Sequence, residues 1–159
     1  MTDGPLQPGT PVPEFTLKRE DGSDFTRADL IGQTTLLVFY PFAFSPVCTD
    51  QLGLYEEVLG DYLAKRGVTM YGVSCDASWS QTAFREKLGV SIPQLSDFEP
   101  KGEVCRGFGV YHAGGFPQRA LVIVDSDAVV GWSYQAPSPR ELPGANLIFD
   151  GLDELAARA

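Results

Sequence analysis

The sequence predicts an α/β protein with a mixed central sheet flanked by helices, and three patterns support this prediction. Two continuous apolar runs, Thr34–Phe42 and Val68–Cys75, are rich in β-forming residues and are typical of strands buried on both faces. Segments with apolar residues at helical spacing lie between the predicted strands. Near the end of the chain, "RALVIVD" and "AVVGWSY" flank Ser126-Asp127 and indicate a hairpin. Strands that alternate with helices and end in a hairpin and a helix indicate a mixed sheet between helices.

The other elements follow from local signals along the chain. A Pro-rich lead-in, "GPLQPGTPVPE", precedes a predicted N-terminal hairpin over Phe15–Phe25 that turns at Asp21-Gly22. The longest helix follows residue 45, because apolar residues recur at helical spacing from Leu52 to Leu63 and Gly67 ends the pattern. We find no repeat or linker, so we expect one domain over residues 1–159. Three further helices are predicted over Ser80–Leu88, Gly102–Phe108 and Asn146–Ala157.

Composition argues against several classes of function. The 159 residues include 12 basic and 21 acidic residues, and the formal net charge of −9 argues against nucleic acid or an anionic membrane surface as a partner. No apolar run approaches the roughly 18 residues of a membrane span, and the N-terminus shows no export signal. Three cysteines are an odd number and do not indicate a disulfide framework. We therefore expect a cytoplasmic protein whose cysteines are either packing residues or reactive groups.

Cys48 stands where a predicted strand meets a predicted helix, in "FYPFAFSPVC". Ser45 is a good helix N-cap and Pro46 suits the first helical position, which puts Cys48 at the third. The free backbone N–H groups and the positive end of the helix dipole favour a thiolate there. We therefore predict an ionised thiol near the surface, at the sheet edge where open α/β sheets bind ligands. A cysteine is more often a small buried hydrophobe, so position alone leaves a packing role open.

Several motifs together resemble the peroxiredoxins, the thiol peroxidases of the thioredoxin superfamily. Pro41, Ser45 and Cys48 match the family's active-site motif, Pro-x-x-x-Thr/Ser-x-x-Cys. The segments "YGVSCDASWSQTAF" and "IPQLSDFEPKGEVCRGFGV" resemble later parts of the family, and "FPQRALVIVD" resembles the strand that carries its active-site arginine, here Arg119. The resemblance runs from about Phe15 to the end and is closest to the bacterial one-cysteine alkyl hydroperoxide reductase E type. It implies a single domain with the thioredoxin-like fold of the peroxiredoxin type.

The resemblance also implies a peroxidase that reduces hydrogen peroxide and organic hydroperoxides. Cys48 would attack the peroxide and become a sulfenic acid, which a second thiol reduces. Ser45, Arg119 and backbone N–H groups near Cys48 would bind the peroxide oxygens, and Pro41 would shield the sulfur from water. Two residues depart from the common pattern: Ser45 replaces a threonine, and Gln51 replaces a glutamate that orients the arginine. Both keep a hydrogen-bonding group, so we expect Gln51 to support Arg119.

Spacing does not identify the thiol that resolves the sulfenic acid. The resemblance implies a resolving cysteine near the C-terminus or five residues after the first, but Gly53 occupies that second position and no cysteine follows Cys105. Cys75 and Cys105 are the remaining candidates, and a packing role is the alternative for both. We expect a one-cysteine mechanism in which the reductant is external, either a thioredoxin-like protein or a low-molecular-weight thiol. The resemblance also implies a homodimer or larger homo-oligomer.

Two other functions stay open at this point. A thioredoxin-like framework also suits a disulfide oxidoreductase, although Ser45-Pro46-Val47-Cys48 has one sulfur where such enzymes usually have two. A non-catalytic redox-sensing or chaperone module is the other alternative. We expect no cofactor and no metal, because the single histidine, His112, lacks cysteine or histidine neighbours at metal-ligand spacing.

Overall fold

The computed structural model describes residues 4–158 and arranges them as strands and helices that alternate along most of the chain. The strands are β1 (Thr16–Arg19), β2 (Asp24–Thr26), β3 (Thr34–Phe39), β4 (Val68–Ser74), β5 (Gln94–Ser96), β6 (Tyr111–His112), β7 (Phe116–Pro117), β8 (Ala120–Val124) and β9 (Val130–Gln135). The helices are α1 (Pro46–Lys65), α2 (Ser78–Leu88), α3 (Glu103–Gly107) and α4 (Ala145–Arg158), and a short 3-10 helix covers Arg27–Leu30.

Seven strands form one mixed sheet in the order β2-β1-β5-β4-β3-β8-β9, and β6 pairs separately with β7. The central strands β5, β4 and β3 are parallel, so the loops that follow them leave the same edge of the sheet, called the site edge below. β8 runs antiparallel to β3 and therefore starts at the site edge, with Ala120 opposite Phe39. The site edge thus brings the loop before α1 close to the residue before β8.

Two hydrophobic cores cover the two faces of the sheet. Because side chains alternate along a strand, Leu36 and Val38 of β3 enter one core while Leu37 and Phe39 enter the other. The first of these is the α1-side core, to which α1, α2 and α4 contribute Leu52, Leu59, Phe84 and Ile148. The second is the α3-side core, to which the N-terminal hairpin and α3 contribute Leu17, Phe25 and Val104.

The predicted sheet, helices and hairpins are confirmed, with differences at some ends. β3 ends at Phe39 rather than Phe42, because Pro41 has no N–H to donate to a neighbouring strand. The sequence patterns missed β5, β6 and β7, since two or three residues are too few to show a period. Within residues 4–158, no helix has the length and apolar character needed to cross a membrane.

Candidate active site

Helix α1 begins where the sequence predicts and carries Cys48 in its first turn. Ser45 is the N-cap, with extended backbone at φ −70° and ψ 150°, and Pro46 and Cys48 are the first and third helical residues. Phe44, just before the cap, has a φ of 71°, in the left-handed region that residues other than glycine rarely adopt. The turn at Phe44 carries the chain from β3 into α1 and leaves Cys48 at the site edge.

Backbone N–H groups at the start of α1 are available to an anion. The Thr49 N–H donates to the Ser45 carbonyl at 2.9 Å. The N–H groups of Val47 and Cys48 precede that bond and have no acceptor within the helix. The predicted N-cap position of Ser45 is confirmed, but its side chain makes no capping bond. In the described part of the chain, the Ser45 hydroxyl has no hydrogen-bond partner.

Asp76 fixes the loop between β3 and α1. Its carboxylate accepts the N–H of Ala43 at 2.8 Å and the hydroxyl of Ser74 at 2.7 Å. Pro41, in the same loop, is buried. The segment before Cys48 is therefore tied to the end of β4, on the neighbouring strand.

Arg119 contacts Cys48 across 71 positions of sequence. Because Arg119 directly precedes β8 and Ala120 pairs with Phe39, its side chain starts at the site edge. The Nη2 atom of Arg119 donates to Cys48 Sγ at 3.3 Å. Arg119 is only 2% exposed, and no carboxylate of residues 4–158 forms an ion pair with it. The guanidinium is thus a buried cation that lies against the sulfur.

Neutral acceptors hold the rest of the Arg119 side chain. Its Nη1 donates to Gln51 Oε1 at 2.6 Å, and its Nε donates to the Pro139 carbonyl at 2.7 Å. The Gln51 amide donates to the Tyr55 hydroxyl at 3.3 Å, and that hydroxyl donates to the Pro143 carbonyl at 2.6 Å. Burial raises the pKa of Tyr55 to about 12, so the hydroxyl keeps its proton near neutral pH. Gln51 therefore lies beside Arg119, as predicted, and is itself anchored.

The prediction that Cys48 lies near the surface is wrong. Its side chain is 0% exposed and belongs to the α1-side core, together with Tyr40 and Leu52. The prediction considered the helix N-terminus, which is open to ligands in many α/β sheets. It did not include the packing of Cys48 among the apolar side chains of the α1-side core and against the Arg119 side chain.

Cys75 and Cys105 lie on the other face of the sheet. Both belong to the α3-side core, and all three cysteines are free thiols. Cys75 and Cys105 instead cluster with Asp97: the two Sγ atoms and a carboxylate oxygen all lie within 4.8 Å of one another. The structure thus brings the two candidate resolving cysteines together and keeps them on the face opposite Cys48.

Sequence reasoning did not find Tyr55, Asp76 or Asp97 as polar partners. Tyr55 had a usable signal, because it follows Gln51 by four residues and so shares its helical face. The Pro139 carbonyl had none, since every residue type has a backbone carbonyl. The contact of Asp97 could not be predicted without knowing that the loop after β5 packs against α3.

Comparison with known proteins shows what these motifs belong to. The model of the AhpC/TSA family matches residues 8–133, a range that contains Pro41, Ser45, Cys48, Gln51 and Arg119. The chain belongs to the AhpC/TSA family. The predicted membership of the peroxiredoxins is therefore confirmed.

Named relatives agree with this membership. Peroxiredoxin Bcp of Escherichia coli is 37% identical over 134 residues, 79% of this chain and 83% of that protein. Alkyl hydroperoxide reductase E of Mycobacterium bovis is 27% identical over 154 residues, 96% of this chain and 99% of that protein. A putative peroxiredoxin of Mycobacterium tuberculosis is 37% identical over 106 residues, and this chain spans 66% of the length of that protein.

A solved structure extends the comparison to the fold. The crystal structure of peroxidoxin BcpB from Mycobacterium tuberculosis is similar at a TM-score of 0.79 and 26% sequence identity. The match covers 97% of this chain and 99% of that one. The predicted thioredoxin-like fold of the peroxiredoxin type is confirmed over nearly the whole chain.

Proposed function

We propose that this peroxiredoxin is a thiol-dependent peroxidase in which Cys48 reduces hydrogen peroxide and organic hydroperoxides. The observation that carries the proposal is the 3.3 Å contact between Arg119 Nη2 and Cys48 Sγ, at the start of α1. The thiolate attacks the terminal peroxide oxygen, the O–O bond breaks, and the other oxygen leaves with the bonding pair. That oxygen takes a proton to give water or an alcohol, and the sulfur becomes a sulfenic acid.

Charge balance supports a thiolate at Cys48. A buried cation is unfavourable by several kcal/mol unless an anion or well-made hydrogen bonds compensate it. Gln51 and Pro139 offer Arg119 only neutral acceptors. The Cys48 sulfur is the group in contact with Arg119 that can carry a negative charge, and the N–H groups at the start of α1 stabilise the same charge.

Binding of the transition state accounts for most of the expected rate. An ordinary thiol of pKa ~8.5 is a few per cent ionised at pH 7, so complete ionisation gains less than ~50-fold, or roughly 2 kcal/mol. Larger gains come from donors directed at oxygens on which negative charge develops. We assign these donors to Arg119, to the Ser45 hydroxyl and to the N–H groups of Val47 and Cys48. Pro41 limits contact of the sulfur with water.

An apolar rim near Cys48 suits the organic group of a hydroperoxide. Phe42 and Phe44 precede α1 and are 47% and 50% exposed. They pack on Phe116 and Phe84, with ring centroids 5.1 Å and 5.2 Å apart. Since Cys48 is fully buried, substrate reaches the sulfur when this rim or the Arg119 side chain shifts.

An external thiol is the proposed reductant of the sulfenic acid. Cys75 and Cys105 lie across the sheet from Cys48, which favours a one-cysteine mechanism. A thioredoxin-like protein or a low-molecular-weight thiol of the cytoplasm attacks the sulfenic sulfur, and a second thiol releases the reduced Cys48.

We also propose that the protein is a homodimer or larger homo-oligomer. Trp79 and Phe98 follow β4 and β5, so they lie at the site edge, as Phe42 and Phe44 do, and they are 90% and 54% exposed. Exposed aromatic side chains grouped at one edge are typical of an interaction surface. Size-exclusion chromatography with light scattering measures the mass of the protein in solution. A monomer at all protein concentrations would contradict the proposed assembly.

Stopped-flow mixing of reduced protein with hydrogen peroxide and with an organic hydroperoxide tests the peroxidase proposal. We expect rapid consumption of both by the wild type and by Cys75→Ser, and none by Cys48→Ser. Cys75→Ser is the matched control because it removes a thiol from the opposite core. Inertness to peroxide with reduction of insulin disulfides would indicate a disulfide oxidoreductase instead. Inertness in both assays would indicate a non-catalytic module.

A further inference from the structure

Cys75, Asp97 and Cys105 form a second cluster of reactive groups, called the dithiol cluster below. The two sulfurs and a carboxylate oxygen lie within 4.8 Å of one another, and the three residues are 8%, 4% and 0% exposed, respectively. The proposed peroxidase step uses none of them. Two adjacent thiols can together give up two electrons to an oxidant by forming a disulfide, and a neighbouring carboxylate can accept a proton; an isolated buried cysteine has no partner for such a bond.

We propose that the dithiol cluster is a second redox centre, in which low-molecular-weight disulfides oxidise Cys75 and Cys105 to a reversible disulfide and Asp97 accepts a proton. The proposal goes beyond the peroxidase function and does not depend on Cys48, which lies on the opposite face of the sheet.

The exchange balances in two steps. The Cys75 thiolate attacks one sulfur of the small disulfide, which forms a mixed disulfide and releases one small thiolate. Cys105 then gives its proton to Asp97 and attacks the Cys75 sulfur, which releases the second small thiolate. Two electrons pass from the protein to the small disulfide, and the two protons that the cysteines lose convert its halves to thiols.

Exposure assigns different functions to the two cysteines. Cys75 directly follows the last residue of β4 and is 8% exposed, whereas Cys105 lies in α3 and is 0% exposed. A small disulfide therefore reaches Cys75 first. Cys105, which is in contact with Cys75, completes the protein disulfide.

Asp97 is fixed beside Cys105 and can serve as a base. Its carboxylate accepts the backbone N–H groups of Cys105 at 2.8 Å and Val104 at 3.2 Å. Burial raises the pKa of Asp97, which makes the carboxylate a stronger base than an exposed one. The hydrogen bond with Cys75, followed by burial, raises the pKa of the Cys105 thiol well above its ordinary value. Cys105 therefore needs a base before it can attack.

Peptide mapping of the Cys48→Ser protein tests the proposal, because this protein lacks the peroxidase cysteine. The folded protein is equilibrated in glutathione buffers of increasing oxidised fraction, alkylated and digested without reduction. We expect the Cys75 and Cys105 peptides to be linked and the intact mass to fall by two hydrogen atoms. Adding Cys105→Ser should leave a glutathione adduct on Cys75, and adding Cys75→Ser should leave none. If Cys75 and Cys105 both remained free thiols in the most oxidising buffer, the proposal would be overturned.

The Asp97→Asn variant tests the proton acceptor. We expect the same linked peptides to form about 10²-fold more slowly, the lower range for loss of a general base; an unchanged rate would contradict this assignment. Thiols and a carboxylate can also bind a metal ion, so the zinc content of the protein is measured as well. One zinc ion per chain in the reduced protein, lost on changing either Cys75 or Cys105, would overturn the redox proposal.

Discussion

Cys48 and Cys105 are equally buried, yet their neighbours differ in charge. Each side chain is 0% exposed. Cys48 accepts a hydrogen bond from the Arg119 guanidinium at the start of a 20-residue helix, whereas Cys105 clusters with Asp97 and Cys75. A cation and a helix N-terminus stabilise a thiolate, while a carboxylate and a second thiol stabilise the protonated form. Burial alone therefore does not determine which form of a cysteine is favoured; the charge of the atoms around the sulfur does.

Removing the cation beside Cys48 takes away the main difference in charge between the two cysteines, and this is the largest expected effect. We expect Arg119→Met to slow peroxide reduction about 10⁴-fold, because it removes both the stabilisation of the thiolate and one transition-state donor. The second-order rate constant with hydrogen peroxide measures this loss. Arg66→Met is the matched control, since Arg66 is an exposed arginine at the other end of α1. A loss below tenfold in Arg119→Met would show that the guanidinium is not needed.

The Ser45 hydroxyl tests the donor side of the Cys48 site. We expect Ser45→Val to lower the same rate constant by ~10²–10³, the size found for loss of one transition-state donor. Ser45→Thr keeps the hydroxyl and should stay within a few-fold of the wild type. Because Ser45 makes no capping bond, both variants should keep the wild-type urea midpoint. Equal rates in the valine and threonine variants would remove Ser45 from the site.

Gln51 tests whether Arg119 must be held in place. Gln51→Leu removes the acceptor of Arg119 Nη1, and we expect about a tenfold loss of rate, the equivalent of one net hydrogen bond of ~1–1.5 kcal/mol. Gln51→Glu keeps an acceptor and should retain the rate. If both variants matched the wild type, the contact with Pro139 alone would be sufficient to orient the guanidinium.

Asp97 gives the smallest effect and tests the other side of the comparison. Because burial raises its pKa in the folded protein above 3.8, the folded state binds this proton more tightly than the unfolded state. The stability that this proton provides is present below about pH 4 and is lost as the pH rises through the raised pKa. We therefore expect the urea midpoint of the wild type, relative to Asp97→Asn, to fall as the pH increases from about 4 towards neutrality. A constant difference between the two midpoints would contradict the assigned shift.

Local patterns predicted the longer elements of the fold because each of these is regular over enough residues. The double-sided burial of β3 and the Ser45-Pro46 start of α1 are visible in contiguous sequence. The three-residue strand β5 has no such pattern, although it provides the edge on which β1 adds to the sheet.

The candidate site was predictable only in part, because part of it depends on pairing between distant strands. Pro41, Ser45 and Cys48 lie within one motif, whereas Arg119 could be assigned from family resemblance but not from position alone. The opposite faces occupied by Cys48 and the dithiol cluster depend on which side of the sheet each helix covers. The contact between Cys75 and Cys105 therefore appears only once the loop after β4 and helix α3 are packed together.

The most direct test is to find which sulfur a peroxide oxidises first. Reduced wild-type protein is mixed with one equivalent of hydrogen peroxide in the presence of a reagent that traps sulfenic acids, and the adduct is mapped by mass spectrometry. We predict an adduct on Cys48, with Cys75 and Cys105 still reduced. Oxidation at Cys75 or Cys105 while the Cys48 thiol stays intact would contradict the account.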